Sequence, residues 1–405
     1  MEPIGHLGEA VLLNTANGNP AKNFKVIGVT GTNGKTTTCF MIHKMLQQAG
    51  YKVGLMTTVA WGVGDNIKPQ TEHMTNVPVP LMMKRLKAMR AEGMEWLVME
   101  TTSMALAQHR VYGIPYSVVV FTNLTQDHLD YHGTFERYKQ AKLKLFKLVA
   151  KNKNGLQTAV INADDPNGEY FAEAMPKTVN YGIKQGQLKA ANISSTPEGS
   201  SFSVGDLKIK THLPGEFNIY NALATVGVGQ VLGLEPKQIE QGIAALDSVA
   251  GRMERVDAGQ DFAVLVDYAH TPDALEKALG ALKQASDGKV IVVFGATGDR
   301  DKGKRSQMGE VAAKNADLIF LTDDETYTED PETIRQAVYK GIEEAGGAAK
   351  TTVIADREQA IKAALTTAKK GDSVLLAGIG HQDHRVMDGQ KQPWNEIDMA
   401  KKLLK

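Results

Sequence analysis

Cysteine is nearly absent. The chain of 405 residues carries one, Cys39. A single cysteine excludes an intramolecular disulfide and a cysteine-based zinc site. It stands just after a glycine-rich loop, where a helix should pack, which suits a small buried apolar side chain. Net charge is absent too, since Lys plus Arg and Asp plus Glu are 46 each. That balance gives no support to non-specific binding of nucleic acid or a membrane surface, so any basic site must be local. No run of about 18 apolar residues occurs, so no membrane span is expected. The chain does not open on a charged segment followed by an apolar run, so no signal peptide is expected, and a reducing cytoplasm is the expected compartment. There is no internal repeat and no low-complexity segment. What remains is an ordinary globular composition, 42% hydrophobic and 23% charged, with apolar residues for sizeable cores in two or three domains.

Strand and helix patterns alternate. "KVIGV" reads as a buried strand and "TTTCFMIHKMLQQAG" as the helix after it, ended by Gly50. The runs "WLVMETT", "SVVVFTNL" and "TAVINADD" follow, separated by helical segments such as "FERYKQAKLKLFKLVA". This rhythm predicts an α/β fold with a mainly parallel sheet covered on both faces. Residues 185–213 break it: "SSFSVGDLKIKTHL" alternates with period two, predicting a small antiparallel addition. A boundary is expected near residues 246–252, around "DSVAGRM", with domains over 25–247 and 248–405 and residues 1–24 as an N-terminal tail. After it, "FAVLVDYA", "KVIVVFGAT", "DLIFLTDD", "TTVIADR" and "SVLLAGIG" open a second series, read as a doubly wound, Rossmann-like domain.

The stretch "KVIGVTGTNGKTTT" looks like a phosphate loop with unusual spacing. The Walker A pattern has four residues between its first Gly and the Gly-Lys pair. Here two residues separate Gly31 from Gly34, and five separate Gly28 from it. Gly31, Thr32, Asn33 and Gly34 lead into a helix opening on Lys35, Thr36 and Thr37. N–H groups and the dipole at such a helix start favour an anion, Lys35 can neutralise phosphate charge, and a threonine hydroxyl can reach Mg²⁺. The plain alternative is a strand-to-helix turn.

Acidic and imidazole groups gather at predicted strand ends, the ligand edge of open α/β sheets. Glu100 ends "WLVME"; Asp127, His128, Asp130 and His132 follow the next strand. Beside a phosphate loop they suit metal binding, although a lone His or Glu is more often structural. By pattern alone Lys139, Lys142 and Lys144 are solvated helix lysines. "GATGDRDKGKR" gathers Arg300, Lys302, Lys304 and Arg305, offset by Asp299 and Asp301. This reads either as a solvated loop or as a carboxylate pocket. In "VDYAHTPDAL", Asp267 could accept from a ribose hydroxyl; His270 alone is weak.

Taken in order, "GVTGTNGKTTT", "METTSMALAQHRV", "FTNLTQDHLDYHGTFERYKQAKLKLF", "GEFNIYNALA", "GRMERV", "VDYAHTPDALEKAL", "GATGDRDKGKR", "TDDETYTEDPE" and "AGIGHQDH" resemble the Mur ligases, and among them the MurE type. The resemblance covers roughly residues 25–405, and it makes the short loop spacing the Mur ligase form of the P-loop. It implies a central P-loop ATPase domain followed by a Rossmann-like domain. The activity implied is ATP-dependent amide formation on a muramoyl-peptide through an acyl phosphate. A folylpolyglutamate-type ligase acting on another carboxylate is the alternative. It implies that Lys35 and Thr36 hold ATP phosphates and one of two Mg²⁺ ions, and that Glu100 and His128 are magnesium ligands. Lys142 would be carbamylated with CO₂ to help hold the second ion. Asn221 matches the adenine-contacting asparagine; Arg252 and Asp267 match residues that reach phosphate and ribose when the domains close. Thr102, Gln108 and Arg110 match positions that contact the muramoyl-peptide. His270, Arg300, Asp324, Glu325, Gly378 and Gln382 are the expected amino-acid-side residues. Small-molecule substrates, no nucleic-acid partner and a monomer are expected.

The chain departs from the family pattern in three places. Only about two dozen residues precede the first strand, too few for the N-terminal domain that binds the UDP end, so a chain without that domain is expected. Diaminopimelate-adding enzymes carry Asp-Asn-Pro-Arg where this chain has Asp324, Glu325, Thr326 and Tyr327, and an acidic residue where it has Gln382. Losing both charges argues against meso-diaminopimelate, while Arg300 remains for an α-carboxylate. Met104 stands where a histidine is usual.

Overall fold

The computed structural model describes residues 4–22, 24–72, 74–196 and 199–405. The chain divides into two compact units, and the main division falls between Asp247 and Ser248.

The first unit is built on nine strands: β1 Lys25–Thr30, β2 Val53–Met56, β3 Ala60–Val63, β4 Asn66–Pro69, β5 Trp96–Glu100, β6 Tyr116–Phe121, β7 Thr158–Asn162, β8 Lys177–Gly182 and β9 Leu188–Lys189. They form one sheet in the order β4-β3-β2-β5-β1-β6-β7-β8-β9. Strands β5 and β6 are buried along their whole length, which is why "WLVME" and "YSVVVF" read as unbroken apolar runs. They flank β1 in parallel, with Val29 opposite Glu100 and Thr30 opposite Phe121. The carboxyl ends of all three therefore meet at the loop after β1. That loop feeds the helix Lys35–Gln48, whose chain reversal uses Gly50 at φ +91, with Tyr51 N–H returning to Leu46 O at 3.1 Å. Cys39 is fully buried in this helix.

The reading of residues 1–24 as a tail needs correction. Residues Ile4–Ala16 form a helix; Ala10, Ala21 and Phe24 join the core, and Asn14 Nδ2 donates to Tyr112 O at 2.6 Å. Residues 1–3 and 23 lie outside the described residues. The antiparallel edge made by β3 and β4 is a second difference. Each is four residues long, and β4 is largely exposed, so neither offers a periodic apolar signal. The period-two segment does form a small separate sheet, β10 Ala191–Thr196, β11 Gly199–Val204 and β12 Leu207–Thr211, with alternating burial along β12.

The second unit holds β13 Glu254–Val256, β14 Ala263–Asp267, β15 Val290–Phe294, β16 Leu318–Leu321, β17 Thr351–Val353 and β18 Ser373–Ala377, in the order β13-β14-β18-β15-β16-β17. All pair in parallel except β13. A hairpin, β19 His384–Met387 with β20 Gln390–Pro393, precedes the last helix Glu396–Leu404. That helix is tied down by a buried fork: Arg357 Nη2 meets Glu396 Oε1 at 2.6 Å and Ala377 O at 2.8 Å. No helix among the described residues is long and apolar enough to cross a membrane.

Candidate active site

The loop after β1 is shaped by two positions that tolerate no side chain. A Cβ on Gly31, at φ +149, would stand 1.9 Å from Thr122 Oγ1; one on Gly34, at φ +83, would stand 2.5 Å from Asn221 Oδ1. Asn123, just beyond β6, clasps the loop: Thr32 N donates to its carbonyl and Asn33 N to its Oδ1, both at 2.9 Å. The loop is thus held as a cradle at the start of a 14-residue helix, where N–H groups and the helix dipole favour an anion. Lys35 folds back to donate to Thr32 O at 2.7 Å. Thr37 is buried in the first turn.

Thr36 and Glu100 are brought together. Thr36 Oγ1 donates to Glu100 Oε2 at 2.8 Å, and Thr58 N reaches the same oxygen at 3.0 Å. A hydroxyl and a carboxylate beside a phosphate cradle form the hard-oxygen donor set that suits Mg²⁺, which completes its shell with water and phosphate oxygens. Lys142 lies beneath the same loop, 1% exposed, its Nζ donating to Gly31 O at 2.8 Å. The amine sits 4.5 Å from the centre of the Tyr138 ring. Burial first, and then the charge of Lys35, hold its pKa well below the ordinary lysine value, against the pull of Asp127 and Glu100.

His128 takes a left-handed backbone, φ +53, at the start of the short helix Leu129–His132, with Nε2 3.4 Å from Asp127 Oδ2. Burial lowers its pKa, opposed by Asp127. The grouping expected after β6 is only partly realised. His132 turns inward, its Nε2 2.9 Å from Ser103 Oγ, and burial holds its pKa down at about 4. Asp130 is exposed. Among the described residues no three His, Cys, Asp or Glu side chains form a metal-binding group. Asn221 sits behind the cradle, its Oδ1 accepting from Thr38 Oγ1 at 3.1 Å and its Nδ2 donating to Asn218 Oδ1 at 2.9 Å.

Thr102, Gln108 and Arg110 surround the helix Ser103–Ala107, with Thr102 as its N-cap and Gln108 at its end; Met104 is half-buried in its first turn. Thr102 and Arg110 meet on a residue that sequence reasoning missed. Asn76, 1% exposed, donates to Glu100 O at 2.8 Å and accepts from both Thr102 N and Thr102 Oγ1 at 3.0 Å. Arg110 Nη1 donates to the Asn76 carbonyl. The only sequence signal was an asparagine shortly before a proline-led helix.

In the second unit three expected residues gather at the end of β14. Asp267 Oδ2 accepts from Met253 N at 2.7 Å, the Arg252 guanidinium lies 4.8 Å from the Tyr268 ring centre, and His270 Nδ1 meets Tyr268 O at 2.7 Å. Burial raises the Asp267 pKa to about 6 despite Arg252. The cationic run after β15 narrows to one outward arginine. Arg305 forks onto Glu329 at 2.9 and 3.0 Å, Lys302 joins that carboxylate at 3.3 Å, and Lys304 is buried. Arg305 above all holds the Glu329 pKa at about 2. Arg300 is exposed and lies 4.8 Å from the Tyr327 ring centre. Asp324, Glu325, Gly378 and Gln382 form a single cluster.

The pattern described as the Mur ligase middle domain matches residues 29–229, and that described as the Mur ligase glutamate ligase domain matches residues 251–380. The chain belongs to the Mur ligase family. It is 40% identical over 413 residues to the UDP-N-acetylmuramoyl-L-alanyl-D-glutamate--2,6-diaminopimelate ligase of Geobacillus thermodenitrificans, covering 100% of this chain and 83% of that one. A solved structure of a ligase of the same name superposes with a TM-score of 0.65 at 30% identity, covering 98% of this chain and 80% of that one. A Mycobacterium tuberculosis folylpolyglutamate synthase structure gives 0.76 at 17% identity, covering 92% of each chain. That likeness speaks for the fold alone. Mur ligases are ATP-dependent, ADP-forming ligases of carboxylates and amines, and this Mur ligase is an enzyme of that kind.

Proposed function

We propose that this Mur ligase joins an amino acid to the peptide carboxylate of a UDP-linked muramoyl-dipeptide, a cytoplasmic step of peptidoglycan precursor synthesis, acting as a monomer. The observation that carries the reading is the Thr36–Glu100 contact at 2.8 Å on a glycine cradle, with the buried amine of Lys142 under the same loop. The likeness, over all of this chain and 83% of the relative, to a ligase named for that acceptor supports it.

The chemistry joins two anions, a carboxylate and a triphosphate, so opposing charge must be supplied. Lys35 and the N–H groups at the start of its helix take up the phosphates. The acceptor carboxylate then attacks the γ-phosphorus, forming an acyl phosphate and releasing ADP. The amino group of the incoming amino acid adds to the acyl carbon, loses a proton and expels phosphate. A magnesium ion, when bound, would be held by Thr36 and Glu100, with His128 and modified Lys142 near a second ion, and would offset phosphate charge. Burial, and then the charge of Lys35, favour the neutral amine of Lys142 that CO₂ addition requires, the nitrogen losing a proton as the carbamate forms. Thr102 and Arg110, anchored on Asn76, would position the muramoyl-peptide, with Gln108 beside them. Arg252 and Asp267 would serve the nucleotide.

ADP release is expected to require both the muramoyl-dipeptide and an amino acid. Turnover of ATP indifferent to either would contradict the reading.

A further inference from the structure

The polar end of "TAVINADD", residues 162–165, has no part in the chemistry above. Main-chain pairing between β6 and β7 ends with Phe121 opposite Ile161. Beyond that point, side chains from the end of β7 and from β8 take over. Asn162 is 6% exposed; its Nδ2 donates to Thr122 O at 2.7 Å, and its Oδ1 accepts from Asp164 N at 3.0 Å. A donor used on one side and an acceptor on the other fix which way the amide faces. Asp165 Oδ2 accepts from Leu124 N at 2.8 Å, while its Oδ1 accepts from Asn167 N at 2.8 Å and from Asn167 Nδ2 at 3.1 Å. Tyr181, opposite Asn162 on β8, donates its buried hydroxyl to Phe121 O at 3.0 Å. Residues 121–124 are thus braced from β7 and β8.

The same residues grip the cradle. Thr122 Oγ1 donates to Asn33 O at 2.7 Å, and Asn123 Nδ2 donates to the same oxygen at 3.0 Å. Asn123 Oδ1 already holds Asn33 N. In a trans peptide the C=O and the following N–H point in opposite directions. Turning the Asn33 carbonyl toward residues 122 and 123 therefore turns the Gly34 N–H away from them. The direction matters for an anion, which is drawn to N–H groups and repelled by a carbonyl. It is also easily lost, because Gly34 can accept a rotated peptide that a residue with a side chain would resist.

We propose that Asn162 and Asp165 are positioning residues for the ATP phosphates. They hold residues 122–124 where Thr122 and Asn123 keep the Asn33 carbonyl out of the cradle and the Gly34 N–H turned into it. Both act through Thr122 and Asn123. The inference rests on the cradle taking the phosphates, as in the ligase reading above, and not on which acceptor or amino acid is joined. A brace that served stability alone would lower the melting temperature when loosened and leave the nucleotide affinity of the folded protein as it was.

The test is calorimetry of the protein with ATP and Mg²⁺, without acceptor or amino acid, beside melting curves and steady-state kinetics. Asn162→Leu removes the donor to Thr122 O at similar volume. Asp165→Asn presents an NH₂ group to one of the N–H donors that the carboxylate accepts. Each should raise Kd and KM for ATP about tenfold or more, with KM for the amino acid unchanged. Thr122→Val, which removes the hydroxyl on Asn33 O, should do the same, while Thr122→Ser should keep the affinity. Folded Asn162→Leu and Asp165→Asn proteins that bind ATP as the unaltered protein does overturn the inference. A fall in kcat with KM for ATP unchanged overturns it too. Failure of both variants to fold assigns these residues to stability alone and has the same consequence. Failure of the unaltered protein to bind ATP removes the ligase reading, and the inference with it.

Discussion

Lys142 shows how burial changes what a side chain is. The buried line of its helix runs Tyr138, Lys142, Leu145, Phe146 and Val149, so the lysine stands in phase with the apolar stripe. That phase was visible in the sequence; its meaning was not, because a lysine on a lysine-rich helix reads as solvent-facing until its partners are known. Lys139, by contrast, pairs with Glu136 at 2.8 Å. Lys142→Ala should lower ligation by about a hundredfold or more and abolish a ¹³C carbamate resonance formed from labelled CO₂. Unchanged turnover would remove the carbamate role. Glu325 yields a pH prediction. Burial, and then the charge of Asp324, raise its folded pKa to about 7 from the ordinary 4.5. Between those values the folded state holds a proton that the unfolded state has lost, so its contribution to stability falls as pH rises through 7. The melting temperature of Glu325→Gln should therefore gain on that of the unaltered protein from pH 5 to pH 8. A constant difference would contradict the assignment.

At the scale of elements, the sequence disclosed those with strong periodicity: the buried strands, the loop-to-helix junction and the period-two addition. Strands β3 and β4 stayed hidden because four residues with mixed burial carry no period. The bridge made by Asn76 was hidden because it joins segments 24 and 26 residues apart through one amide. Asn76→Ala removes buried hydrogen bonds to Glu100 and Thr102 and should cost about 1–3 kcal/mol of stability by denaturant unfolding. It should also lower kcat with little change in KM for ATP. Gly34→Ala should weaken ATP binding about tenfold or more by calorimetry, because φ +83 and the approach to Asn221 both oppose a methyl group. In the second unit, Arg357→Ala would leave Glu396 buried without its partner, at about 3–5 kcal/mol; replacing both by Met and Leu should recover much of that stability.

At the scale of the whole molecule, the chain forms two α/β units, each with its own sheet and core. The cradle, Thr36, Glu100 and Lys142 belong to the first; Arg252, Asp267, Asp324 and Glu325 belong to the second. Motif order revealed this division because phosphate loops and strand-end acids keep their local signatures. Residues 248–405 expressed alone should unfold in one cooperative transition, as expected of a unit with its own core; a non-cooperative melt would contradict that. The most direct measurement of the central claim is mass spectrometry of a reaction containing the protein, ATP, Mg²⁺, UDP-N-acetylmuramoyl-L-alanyl-D-glutamate and a mixture of amino acids. ADP and a UDP-linked tripeptide are expected in equal amounts, whereas intact ATP binding without a new peptide product would contradict the ligase reading.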